Sequence, residues 1–147
     1  MNKNKRGFTL IELMVVVLLV SILSVVTAPR LTALMVKSKE GATKTNLGML
    51  RSAIQVYGAD HEGAFPIDDL SSLSAGGKYL SGIPAANIYR NYRHASNSHI
   101  NTGPDISSSI DDSGGWSYVN DRNSADWGNI RVNCSHTDVT GANWSVY

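Results

Sequence analysis

Residues 5–29 read KRGFTLIELMVVVLLVSILSVVTAP, and the organisation of the whole chain turns on them. Two positive charges and a glycine open the stretch. From Phe8 to Ala28 there follow 21 residues, of which only Glu12 is charged. At ~1.5 Å per residue such a run makes a helix of roughly 30 Å, the thickness of the hydrocarbon core of a bilayer. The carboxylate near its start is the anomaly. An intramembrane charge costs on the order of 3 kcal/mol even on lenient scales, less near a helix end, so it requires a partner.

Three readings of this segment compete. In the first it is a secretory signal cut after Ala28, since Val26-Thr27-Ala28 approximates a small-x-small site. Against that stand the proline after the scissile bond and the acid inside the apolar region. In the second it is an ordinary single-pass anchor, which explains length and orientation but leaves Glu12 unpaired. In the third the cut falls after Gly7, ahead of the apolar run, and the span is retained. Cleavage there creates an α-amino group on Phe8, about one helical turn from Glu12 and at the same depth. Amine and carboxylate then neutralise one another, within a chain or between neighbours. Before cleavage that position is an uncharged amide, so processing licenses lateral association.

The run Lys5-Arg6-Gly7-Phe8-Thr9-Leu10-Ile11-Glu12-Leu13 resembles the leader junction of the type IV pilin-like family, the type IV pilins and the pseudopilins of type II secretion. The resemblance implies cleavage after Gly7 by a membrane prepilin peptidase, methylation of the new N-terminal Phe8, and a role for Glu12 in assembly. Pro29 falls where the family has a helix-kinking proline. The likeness is one of motif over residues 5–30 and one of architecture beyond them.

Downstream of Pro29 the pattern stays helical to about Tyr57. Leu47, Leu50, Ile54 and Tyr57 form one stripe, whereas Lys37 to Thr45 is polar and suits a stem leaving lipid. Unbroken from Phe8 to Tyr57, the helix is roughly 75 Å long. A small head cannot cover that length, so the N-terminal half must protrude into membrane or bury itself among other helices. Gly58 to Pro66 ends the helix, and a similar acidic turn closing in Phe-Pro or Tyr-Pro follows the long helix in many of the proteins it resembles.

The rest reads as a small α+β head. A short helix lies within Asp68 to Leu80, and residues 81–113 form a long Ser-, Asn- and Gly-rich loop in which Tyr89, Arg90, Tyr92 and Arg93 cluster. Trp116 to Val119, and Ile130, Val132 and Cys134, alternate as two antiparallel strands joined around Asp121 to Gly128, with a third strand expected at Trp144 to Val146. The expected fold is therefore a long N-terminal helix with a C-terminal antiparallel sheet. Its divisions are a leader at 1–7, an apolar span at 8–29, an amphipathic continuation at 30–58 and a head at 59–147.

Charge is segregated along the chain. The leader carries Lys3, Lys5 and Arg6 with no acid, and the head is acidic. By the positive-inside rule the N-terminus stays in the cytoplasm, in the inner membrane of the resemblance. No basic patch interleaved with aromatics marks a nucleic-acid partner. No zinc-protease, phosphate-loop, dinucleotide or serine-hydrolase motif is present, so an enzyme is not expected. Cys134 is the sole cysteine, which rules out an intrachain disulfide and suits a small buried residue on a strand. Asp111, Asp112, Asp121 and Asp126 place hard oxygen ligands in loops, and some pseudopilins bind calcium near their C-terminus. Those acids fit no EF-hand spacing, however, and ordinary loop carboxylates are the competing account.

The function expected is that of a prepilin, cleaved, N-methylated and polymerised into a helical pilus-like filament by an inner-membrane platform and a motor ATPase. A pseudopilin of a type II secretion system is the alternative within the family. A membrane-anchored binding module that never polymerises is the alternative outside it.

Overall fold

The computed structural model describes residues 7–88, 94 and 96–147. The chain divides into two compact units, Met1–Met35 and Val36–Tyr147. Helix α1 spans Leu10–Asp60, continuing through Pro29, and so contributes to both. Within the first unit every apolar side chain from Phe8 to Val26 is exposed. Ser21, Ser24 and Thr27 donate their hydroxyls to the carbonyls four residues back, at 2.7–2.8 Å. Their polarity is thereby spent on their own helix.

In the second unit α1 carries a buried stripe of Glu40, Thr43, Leu47, Leu50, Ala53, Ile54 and Gly58. The spacing of three and four is that of one helix face. Leu47, Leu50 and Ile54 are core residues as the periodicity predicts, with Tyr57 packed at the edge. The stripe also runs further back than expected. Glu40 and Thr43, within the segment read as a polar stem leaving lipid, are buried because they receive loop backbone. Thr43 Oγ1 accepts from the Asn87 amide at 2.8 Å, and Glu40 Oε2 accepts from the Val139 amide at 3.1 Å.

The helix ends at Asp60 in a turn with positive φ at Glu62 and Gly63. Phe65 then folds back between two glycines. A β-carbon built on Gly58 would lie 2.9 Å from its ring, and one on Gly128 2.6 Å. Helix α2, Ser71–Ser74, follows, and a 3₁₀ turn at Ala75–Gly77 succeeds it. Asp68 organises its start by accepting from the Leu70 and Ser72 amides at 3.0 and 2.9 Å.

The sheet has three strands, β1 (Ile100–Gly103), β2 (Trp116–Val119) and β3 (Ile130–Val132), in that order. β2 and β3 pair antiparallel with Trp116 opposite Val132, as expected. β1 pairs parallel to β2, Ile100 opposite Trp116, so the sheet is mixed rather than antiparallel throughout. The parallel return is made through the short helix α3, Ile106–Ser109, whose N-cap Asp105 accepts from the Ser108 amide at 2.8 Å. β2 is buried on both faces. Trp116 and Tyr118 enter the core, while Ser117 is bonded to Ser109 of α3.

The expected third strand at Trp144 to Val146 is instead a 3₁₀ turn. Trp144 is buried but Val146 is 71% exposed, so the alternation has no second inward residue. Arg131 reaches the Ser145 carbonyl with its side chain, at 2.8 Å, in place of a backbone ladder. The third strand lies at Ile-Asn-Thr-Gly, inside the segment read as loop, because its half-buried positions carry no apolar alternation.

Candidate functional site

Gly7, Phe8 and Thr9 precede the first turn of α1. Phe8 is 78% exposed, and the peptide bond that joins it to Gly7 lies outside regular structure. Glu12 sits in the first turn and Thr9 stands at the N-cap. Glu12 Oε2 accepts from the Thr9 amide at 2.8 Å and from Thr9 Oγ1 at 2.7 Å, while Thr9 Oγ1 faces the Glu12 amide at 3.3 Å. This reciprocal arrangement is a capping box. The carboxylate also lies at the positive end of the helix dipole. The acid that looked unpartnered in the sequence therefore has a local role. The signal for it in the sequence is the spacing Thr9-x-x-Glu12.

The 18-residue apolar window of α1 has a mean hydropathy of 2.7 and no residue buried within the molecule. Its length and composition fit a bilayer span. A helix apolar on all sides must be covered by lipid or by other protein.

Residues 2–28 match the prokaryotic N-terminal methylation motif. This is the prepilin leader motif. The chain is 36% identical over 63 residues to a ComG operon protein 3 homolog of Bacillus licheniformis, an alignment covering 43% of this chain and 65% of that protein. It is 44% identical over 52 residues to the type IV major pilin protein PilA of Myxococcus xanthus, covering 35% of this chain and 24% of that one. The chain thus spans about two thirds and one quarter of the length of these curated relatives. No solved structure matches it. The motif and these relatives make the chain similar to pilins in part of its length, the helix-plus-sheet architecture matches a pilin-like α+β fold, and the apolar helix is consistent with membrane anchoring.

In the head of this pilin-like chain the C-terminal segment is clamped to α1. Lys44 Nζ meets Asp138 Oδ2 at 2.7 Å, and the Tyr147 hydroxyl donates to the same oxygen at 2.8 Å. The ammonium also lies 3.9 Å from the centre of the Tyr147 ring. Burial by itself would raise the Asp138 carboxyl. Bonds from Lys44, Thr140 and Tyr147 outweigh it and hold the group well below the usual carboxylate range. For Lys44, burial works downward, and the bond to Asp138 prevails to raise it. Arg51 extends the clamp to the Tyr147 and Ile130 carbonyls.

The calcium candidates divide between two places. Asp111 and Asp112 follow α3, whereas Asp121 and Asp126 lie in the β2–β3 connection. Asp111 is engaged by the Asn133 side chain at 2.7 Å, Asp121 by the Asn123 amide at 2.9 Å, and Asp126 by the Asn129 side chain at 3.0 Å. Three of them thus cap turns and brace loops, and the four do not gather into one group of ligands among the described residues.

Asp112 belongs to a different group. With His94, Cys134 and His136 it forms a cluster whose ligand atoms all lie within 4.8 Å of one another. Cys134 is buried, and that burial pushes its thiol up. In the sequence only the pair Cys134-x-His136 hinted at this. His94 and Asp112 are brought in by the tertiary fold. The cluster of Tyr89, Arg90, Tyr92 and Arg93 lies outside the described residues.

Proposed function

We propose that the chain is the precursor of a structural filament subunit, not an enzyme, and that it is cut between Gly7 and Phe8. Water adds across that peptide bond, the leader leaves with a Gly7 carboxylate, and Phe8 gains an α-amino group that is then N-methylated. One observation carries this reading: the methylation motif sits at the start of a helix that exposes apolar side chains on every face. Such a helix has two acceptable surroundings, a bilayer before assembly and a bundle of its own copies afterwards. In either, removal of its apolar surface from water is favourable by ~25 cal/mol per Å².

The capping box sharpens the role of Glu12. In the precursor, Thr9 holds the carboxylate at the helix start. After cleavage a positive α-amino group stands next to Thr9, and the carboxylate of the same or a neighbouring subunit can pair with it. The precursor lies in the inner membrane with its basic leader in the cytoplasm. A prepilin peptidase, an inner-membrane platform and a motor ATPase serve it, on the pattern of the pilin-like relatives. Pro29 supplies a point of bending for packing in the filament.

Mass spectrometry of the native polypeptide tests the processing step. The expected N-terminus is N-methylated Phe8, and a chain beginning at Met1 or at Pro29 overturns the proposal. Electron microscopy of sheared cell surfaces and of the periplasm tests polymerisation. Filaments containing the chain are expected, and their absence from both favours a membrane-anchored module that stays monomeric.

A further inference from the structure

We propose that His94, Asp112, Cys134 and His136 form a structural zinc site that staples the head together. The inference does not depend on the filament reading. Its basis is donor chemistry and geometry. Two imidazoles, a thiol and a carboxylate make a mixed nitrogen, sulfur and oxygen set of the kind that selects zinc in tetrahedral coordination. With zinc–nitrogen and zinc–oxygen bonds of ~2.0–2.1 Å and a zinc–sulfur bond of ~2.3 Å, tetrahedral ligands stand about 3.3–3.6 Å apart. His136 Nδ1 lies 3.3 Å from His94 Nε2, 3.3 Å from Cys134 Sγ and 3.6 Å from Asp112 Oδ1. One ring nitrogen with a single lone pair or a single hydrogen cannot serve three partners well. The remaining ligand atoms lie within 4.8 Å of one another, and a cation that draws them in to tetrahedral spacing would satisfy all four.

The surrounding groups hold these ligands in place. The Ser135 amide and hydroxyl donate to Asp112 at 2.6 and 2.7 Å, and the His136 amide donates to Cys134 Sγ at 3.4 Å. Such outer contacts are the usual means of orienting ligands. Asp112 also holds a positive φ of 59°, a conformation uncommon for a residue other than glycine. On coordination the thiol proton passes to solvent and the thiolate binds. The site would tie three separate stretches together: residue 94, the bend after α3, and the segment leaving β3. With one cysteine the chain cannot join these stretches by an intrachain disulfide, and a metal is the other covalent-strength staple open to a small domain.

The test uses the full chain in detergent micelles after chelator treatment, titrated with zinc alone. One equivalent is expected to bind, with a rise in the unfolding temperature that added chelator reverses. Cobalt substituted for zinc is expected to show a thiolate-to-metal charge-transfer band and the intense visible bands of four-coordinate cobalt. Cys134→Ser should abolish that band and weaken zinc binding at least tenfold, His136→Ala should weaken it similarly, and Asp126→Asn should change nothing. Circular dichroism at matched temperature shows whether the variants are folded. Should Cys134→Ser not fold, the cobalt spectrum of the unaltered chain still decides. Absence of saturable zinc binding, a cobalt spectrum without the thiolate band, or saturation by copper but not zinc overturns the proposal.

Discussion

The two halves of α1 are built from similar residues and live by different rules. Leu18 is 61% exposed, whereas Leu50, on the same helix, is fully buried. In the Val36–Tyr147 unit the helix is a wall of a core, and its apolar residues are confined to one stripe. Among the described residues of the Met1–Met35 unit the apolar side chains are exposed, and they surround the whole circumference. A helix with one apolar face is completed by its own fold, while one apolar all round is completed only by an environment. The second unit holds a core of its own, whereas the apolar residues of the first stay exposed.

The largest effect expected from breaking this contrast is at Glu12. Glu12→Ala should abolish filament yield in sheared fractions while membrane insertion persists. Glu12→Gln retains an oxygen that can accept from Thr9 but removes the charge. Loss of filaments in that variant too would assign the requirement to the charge. Assembly by Glu12→Gln at normal yield would assign it to the cap and refute the pairing with the Phe8 amine.

Matched leucine truncations come next. Leu50→Ala should destabilise the head by about 3 kcal/mol through lost burial and a cavity. Leu18→Ala should change head stability in detergent by less than ~0.5 kcal/mol, as for surface positions. Guanidinium unfolding followed by tryptophan fluorescence measures both, because Trp116, Trp127 and Trp144 all lie in the Val36–Tyr147 unit. Equal losses from the two variants would show that the halves do not differ as described.

Asp138→Asn should cost about 2 kcal/mol at neutral pH, since it leaves Lys44 facing a weaker, uncharged partner. The sign with pH follows from linkage. The folded Asp138 carboxyl is depressed, so its contribution is present in full above the unfolded value of about 3.9 and is lost as pH falls below it. The gap between the native chain and Asp138→Asn in urea midpoints should therefore narrow from pH 6 toward pH 2. A gap constant over that range would remove Asp138 ionisation from the account. The smallest effect is expected from Ser21, Ser24 and Thr27. Their combined replacement by Ala, Ala and Val should leave filament yield unchanged, because each hydroxyl bonds within its own helix. A reduced yield would instead mark them as contacts between subunits.

Much of this molecule was legible before its structure. The apolar run, the stripe Leu47, Leu50 and Ile54, the helix stop near Gly58 to Pro66, and the β2–β3 pair all followed from periodicity and turn chemistry. What was misread depended on partners distant in sequence. Ile100–Gly103 is a strand because β2 offers it a parallel edge, though its own residues carry no strand pattern. Trp144-Ser145-Val146 has the pattern and is a turn, because its tryptophan is needed in the core and Arg131 takes the carbonyl between. Glu40 and Thr43 look like polar stem residues and are buried because loop amides 99 and 44 residues later dock on them.

The amino-acid order was sufficient to determine the methylation motif, the all-round apolar helix and the acid at its start. These are local properties, set by which residue types follow one another and by the 3.6-residue repeat. Tertiary structure decided the mixed sheet, the Lys44–Asp138 clamp and the meeting of His94, Asp112, Cys134 and His136. Each of those depends on backbone folding that brings together groups with no pattern in common, and short-range periodicity carries no information about such meetings.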